Sequence, residues 1–254
     1  HKGLITIMKR FGPGLLVTAA FIGPGSIATA SAAGANFGFV LLWALVFSLV
    51  ATTVLQEMAA RLGLVSGEGL SQALRTTFQN PIISRCAVIL VVAAIGLGNA
   101  AYEAGNISGA AMGLQSLTDI PLWICAIFIG SVGAALLGTG AYRFMEALLI
   151  LLVVIMSGVF VFTMLMIDVD VSALLSGVFT PSMPTGSAMT VIALIGTTVV
   201  PYNLFLHANL VQKKWRGVPT RQAIAESRTD TIVSIGLGGL ITLAVVSTSA
   251  VAFF

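Results

Sequence analysis

The stretch that decides the fold is Gly23-Pro24-Gly25-Ser26, set in the middle of the first long apolar segment. Proline brings no N–H and clashes with the turn before it, and glycine loosens what remains. A helix should therefore break there and leave backbone amides and carbonyls unpaired at membrane depth. Such groups persist in a bilayer only where they line a protected cavity. A second break is expected at Val200-Pro201-Tyr202-Asn203, inside a later apolar segment. The two breaks read as facing halves of one solute site.

Working outward, the 254-residue chain is 57% apolar and 8% charged, with a mean hydropathy of +1.05. A soluble surface cannot be built from that composition, so the fold class is an all-α polytopic membrane protein whose first partner is the lipid bilayer. The formal charge of +3 does not point to nucleic acid, because the basic residues fall between apolar spans and form no single face. Cys86 and Cys125 are isolated, with no CxxC spacing and no nearby histidine, and read as small core residues.

Spans of about 20 apolar residues cross a bilayer. Seven are expected, at 13–34, 39–60, 86–117, 121–140, 144–167, 187–211 and 231–254. Thr118-Asp119-Ile120-Pro121 closes the third, which is longer than a bilayer needs. With the N-terminus cytoplasmic, all 12 basic residues lie inside: Lys2, Lys9, Arg10, Arg61, Arg75, Arg85, Arg143, Lys213, Lys214, Arg216, Arg221 and Arg228. The opposite loops carry Asp119, Asp168 and Asp170, the asymmetry that the positive-inside rule describes. A bacterial inner membrane is the expected location.

Pro24 and Pro201 are 177 residues apart, as are Ser26 and Asn203. Span one runs outward and span six inward, as inverted repeats require. The chain is thus expected to be one transmembrane domain over 1–254, with a first repeat at 13–167 and the start of a second at 187–254. A five-plus-five architecture needs helices beyond Phe254, so a fragment, or a complementing C-terminal segment as partner, is expected.

Ionisable residues inside a span are functional candidates by default. Glu57 precedes Arg61 by four positions near a span end and reads as a structural pair. Glu103 lies mid-span, with Asn106 three residues on and Asn99 four residues back on one face. Two readings stand for it: a hydrogen-bonded cluster tying helices together, or a cation ligand and proton carrier. His207 follows the second break and reads first as a satisfied structural residue. Gly105, Gly109 and Gly113 recur at four-residue spacing, the pattern of close helix packing.

The chain resembles the natural resistance-associated macrophage protein (NRAMP) family of metal-ion transporters. The resemblance is carried by Phe11-Gly12-Pro13-Gly14, Ala33-Gly34-Ala35-Asn36-Phe37-Gly38, Leu55-Gln56-Glu57-Met58-Ala59-Ala60-Arg61-Leu62-Gly63, Gly109-Ala110-Ala111-Met112-Gly113-Leu114 and Pro201-Tyr202-Asn203-Leu204-Phe205-Leu206-His207. It implies the LeuT-type fold of two inverted five-helix repeats, a transporter rather than an enzyme, and no cofactor. It also exposes departures. Gly23 and Ser26 stand where the family has its metal-binding Asp and Asn. Val200 and Tyr202 stand where it has Met and His, and Glu103 and Asn106 fall at the acids of its proton route.

The expectation is therefore an altered site. Substrate would meet Ala20, Gly23, Ser26, Thr197, Val200, Tyr202 and Asn203, with Glu103, Ser26 and Asn203 as metal ligands and Glu103, Asn106 and His207 as a proton or polar relay. An oxygen-rich, nearly neutral set suits a hard divalent cation such as Mg²⁺ or Mn²⁺ as substrate, with proton coupling weakened or absent. A small organic solute such as an amino acid, and a membrane protein that transports nothing, remain the alternatives.

Overall fold

The computed structural model describes residues 13, 14, 18, 22–78, 80–140 and 142–254. Ala20 and the basic residues Lys2, Lys9 and Arg10 lie outside them. Every regular element among the described residues is helical: α1 (Pro24–Phe37), α2 (Leu42–Ser66), α3 (Leu70–Thr77), α4 (Pro81–Thr118), α5 (Leu122–Gly138), α6 (Tyr142–Met166), α7 (Val171–Phe179), α8 (Ala188–Thr198), α9 (Pro201–Lys214) and α10 (Thr220–Phe253).

Four stretches of the described residues are long and apolar enough to span a bilayer: Leu42–Ser66, Pro81–Thr118, Ala188–Lys214 and Thr220–Phe253. Leu151–Met166 is apolar too but is bent sharply from Val171–Phe179 at the break between them, and Leu122–Gly138 is a shorter apolar helix. At 38 residues, α4 is about 57 Å long at 1.5 Å per residue, against about 30 Å of hydrocarbon. Both expected breaks occur, since α1 begins at Pro24 and α9 at Pro201, each proline in the first turn, where its missing N–H costs nothing. The end of α1 needs glycine, because Gly38 adopts a φ of +56° while its N–H bonds the Gly34 carbonyl.

Two helices were not anticipated from the sequence. α3 has only 8 residues and α7 only 9, so a search for bilayer-length spans passes over them. α7 turns through 118° from the end of α6. Its N-cap Asp170 accepts from the Ser172 hydroxyl and N–H and from the Ala173 N–H, which holds the exposed carboxyl below its ordinary range.

The chain divides into two compact units, one of residues 22–46, 101–197 and 240–254, the other of residues 1–21, 47–100 and 198–239. In the first, Ala33, Leu41, Ala44, Val191 and Leu194 form a buried apolar cluster. The Trp43 indole N–H donates to the Ser182 carbonyl at 2.9 Å, and Gly34 lets α1 lie against the Val246 carbonyl of α10. In the second, Ala60, Val211, Trp215 and Ala223 cluster. There the Trp215 indole N–H donates to Glu226 at 2.7 Å, Gln212 donates to the Glu68 carbonyl at 2.9 Å, and Gly63 admits the Ala208 carbonyl.

Polarity is arranged as in a membrane protein. Leu90 and Leu97 of α4, Trp123 and Phe128 of α5 and Leu165 of α6 are exposed, whereas Ser48, Gln56, Thr231, Ser234 and Ser247 are buried. Apolar side chains outside and hydroxyls inside mark a surface solvated by lipid. The chain is an integral multi-pass membrane protein. Cys125 is buried as expected, but Cys86 is exposed on α4, where its side chain is not covered by the rest of the fold, and is no core residue.

Two outcomes follow from these contacts. Gly34→Leu should lower the thermal unfolding midpoint in detergent through overpacking of about 1–3 kcal/mol. Asp170→Ala should speed amide exchange at Ser172 and Ala173 at neutral pH. Because a lowered carboxyl pKa stabilises the folded form above the ordinary carboxylate range, that advantage of Asp170 should vanish as pH falls through its folded value.

Candidate functional site

At the first break Gly23 is the N-cap of α1, extended at φ −121° and ψ 173°, and has no side chain with which to cap. The Gly23 carbonyl already accepts the first helical bond from the Ile27 N–H at 3.0 Å. The amides of the first turn need acceptors from elsewhere, and one comes from α4. The Gly25 N–H donates to Asn106 Oδ1 at 3.3 Å, and Asn106 Nδ2 donates to Glu103 Oε2 at 3.3 Å. Beside them Ser26 Oγ and Tyr102 Oη are 3.3 Å apart. Tyr102, Glu103 and Asn106 thus form one polar edge of α4 at the start of α1.

Close backbone approach makes these bonds possible. A Cβ on Gly25 would sit 2.9 Å from the Gly105 carbonyl carbon, and one on Gly109 would sit 2.6 Å from the Pro24 oxygen. Of the glycine repeat, the expected close packing therefore holds at Gly109, which lies against the Pro24 carbonyl. It does not hold at Gly105 or Gly113, where a Cβ would meet open space, because the start of α1 presses on α4 at the turn of Gly109.

At the second break Val200 is extended at φ −98° and ψ 116° and caps α9. The Asn203 N–H returns to the Val200 carbonyl at 3.1 Å, and Thr52 donates its hydroxyl to the Thr198 carbonyl at 3.3 Å. The Thr197 hydroxyl is turned back on its own helix, donating to the Leu194 carbonyl at 3.3 Å. Val200 is buried, and Tyr202 is half-buried.

Asn203 and His207 lie one helical turn apart on α9, and both are fully buried. His207 Nδ1 is 2.8 Å from Gln56 Oε1. An amide oxygen only accepts, so Nδ1 carries the proton and Nε2 presents a lone pair. Among the described residues, His207 Nε2 and both polar ends of the Asn203 side chain have no hydrogen-bond partner. Buried polar atoms of this kind call for water or a bound solute.

The predicted residues thus fall into two described groups: Gly23, Ser26, Glu103 and Asn106 at the first break, and Val200, Tyr202, Asn203 and His207 at or just after the second. Tyr102 and Gln56 were missed as contributors. Tyr102 carried a signal, being four residues before Asn106 and hence on its face; Gln56 stood in a conspicuous motif but had no visible partner. Glu57 is a structural pair as expected, 2.6 Å from Arg61 and 3.6 Å from Arg228. Among the described residues no three His, Cys, Asp or Glu side chains gather as a metal cluster.

A helical bundle with prolines opening helices in two of its spans, and polar side chains gathered at both openings, defines a membrane protein of the broken-helix transporter fold. The family model described as natural resistance-associated macrophage protein-like matches residues 14–254, and the chain belongs to that family. The divalent metal cation transporter MntH of Mesorhizobium japonicum is 33% identical over 253 residues, covering 95% of this chain and 54% of that protein. That of Verminephrobacter eiseniae is 29% identical over 259 residues, covering 100% and 58%. Among solved structures, the manganese transporter of Eremococcus coleocola bound to an aromatic bis-isothiourea compound has the same fold, with a TM-score of 0.73 at 24% identity over 99% of this chain and 53% of that one. A mutant of that transporter matches with a TM-score of 0.71 at 25% identity over 94% and 51%. The chain spans about half the length of the curated relatives it matches, 54% and 58% of these two.

Removing the acceptor of the buried imidazole should be costly. Gln56→Leu should destabilise by about 1–3 kcal/mol, the usual cost of an unsatisfied buried donor. A lowered thermal midpoint, without loss of helicity before melting, is the expected reading.

Proposed function

We propose that this chain forms part of a secondary transporter that carries a divalent cation across the membrane by alternating access, with a site altered toward hard cations such as Mg²⁺ or Mn²⁺. The observation that carries the reading is the donor set at the first break. A single carboxylate, Glu103, stands there among a hydroxyl, a phenol and an amide, with Ser26 Oγ, Tyr102 Oη and Asn106 as neighbours. Thioether and thiolate ligands, which select soft transition ions, have no place in it. Oxygen donors with little charge suit a cation that keeps part of its water, as Mg²⁺ does.

In this reading both breaks belong to the transport path. Ser26, Glu103 and Asn203 are the metal ligands, and Ala20, Gly23, Thr197, Val200 and Tyr202 line the remaining wall. Glu103, Asn106 and His207 are the polar residues left of a proton route, too few acids to couple protons tightly. The division into repeats at 13–167 and 187–254, the cytoplasmic N-terminus and the bacterial inner membrane belong to the same proposal. The basic loops support the orientation, and the matched prolines support the repeat.

Calorimetric titration of the purified protein with Mg²⁺, Mn²⁺ and amino acids tests the cargo. Saturable heat from a metal, lost in Glu103→Gln, is expected; heat from an amino acid without heat from a metal would sink the reading. In proteoliposomes, metal uptake should proceed without acidifying the lumen. A lumenal pH change that tracks metal flux would show that protons are coupled after all.

A further inference from the structure

We propose that Asn106 is a positioning residue matched to Gly23: its amide replaces the absent side-chain cap of α1 and, through its other end, holds Glu103 toward the cation. This rests on the reading of Glu103 as a ligand. Three geometric facts converge on it. Asn106 Oδ1 takes the Gly25 N–H at 3.3 Å, Asn106 Nδ2 reaches Glu103 Oε2 at 3.3 Å, and a Cβ on Gly23 would sit 2.6 Å from that same Oδ1. The space that a side chain at position 23 would need is the space the amide oxygen occupies.

The chemistry requires an amide at 106. An N–H only donates and an ionised carboxylate only accepts, so both neighbours demand the same orientation of the Asn106 side chain. A carboxylate there would cap the helix equally well but would turn an oxygen toward Glu103 and repel it. An apolar residue would leave the Gly25 N–H without its acceptor. Position 23 in turn must stay without a side chain, although its extended backbone would accept alanine freely. The pair adds no second acid to the first break and fixes where the Glu103 carboxyl group points.

The test is Mn²⁺ titration of the purified wild-type protein and of Asn106→Ala, Gly23→Ala, their double variant, Glu103→Gln and Gly113→Ala. Asn106→Ala and Gly23→Ala should each weaken Mn²⁺ binding about tenfold, the loss usual when a residue orienting a metal ligand is removed. The double variant should lose no more than either single one, since both substitutions break the same contact. Gly113→Ala, on the same helix but facing open space, should bind as wild type does. Should Asn106→Ala fail to fold, Gly23→Ala still displaces the amide while leaving it in the protein. Wild-type affinity in Gly23→Ala, or additive losses in the double variant, would overturn the matched pair while leaving Glu103 as ligand. Wild-type affinity in Glu103→Gln would overturn the ligand reading itself, and with it the positioning role.

Discussion

In a bilayer every backbone N–H must find a partner within the protein, because lipid offers none. This chain violates the simplest way of meeting that demand by placing Pro24 and Pro201 inside apolar segments. The rest of the architecture is the response. At the first break an amide side chain from α4 accepts the Gly25 N–H. Among the described residues nearer the N-terminus, the Gly14 N–H is taken at 2.7 Å by Asp230 of α10. At the second break, Thr52 occupies the Thr198 carbonyl. At each break one freed backbone group is thus answered by a polar side chain on a neighbouring helix.

Glycine supplies the complementary half of that response. A polar side chain as short as asparagine reaches a neighbouring backbone only if the helices nearly touch. Gly25 and Gly109 bring α1 and α4 to that distance, while Gly63 does the same for α2 against α9. Helix association in lipid has little hydrophobic drive, so packing of this closeness and the bonds it permits carry the association. The buried pair of Gln56 and His207 belongs to the same scheme, tying α2 to α9 where an apolar pair would give contact without direction.

Much of this was legible in the sequence because the signals were local or periodic. Apolar runs of bilayer length marked the spans, proline marked both breaks, and the spacing of Glu57 and Arg61 marked their ion pair. The short helices α3 and α7 were invisible because their length is below any span and their register depends on what they pack against. The glycine repeat was legible as packing, but which of its members met a partner was not, since that depends on where α1 begins along α4. Asn106 was visible as one polar residue on a face with Glu103. That its oxygen would meet the Gly25 N–H, a residue 81 positions away, is a long-range fact with no periodic trace. Gln56 was missed for the same reason, its partner lying 151 positions on.

The inverted placement of polarity has a further consequence for how this sequence can change over time. Along the outer faces of α4 and α5, side chains such as Leu97, Trp123 and Phe128 are largely exposed, and one greasy residue there serves nearly as well as another. In the interior, a hydroxyl such as that of Ser48 or Thr231 is enclosed by protein and must keep a hydrogen-bond partner there. Drift should therefore accumulate on the hydrophobic exterior and stall at small polar positions inside, the reverse of a water-soluble protein.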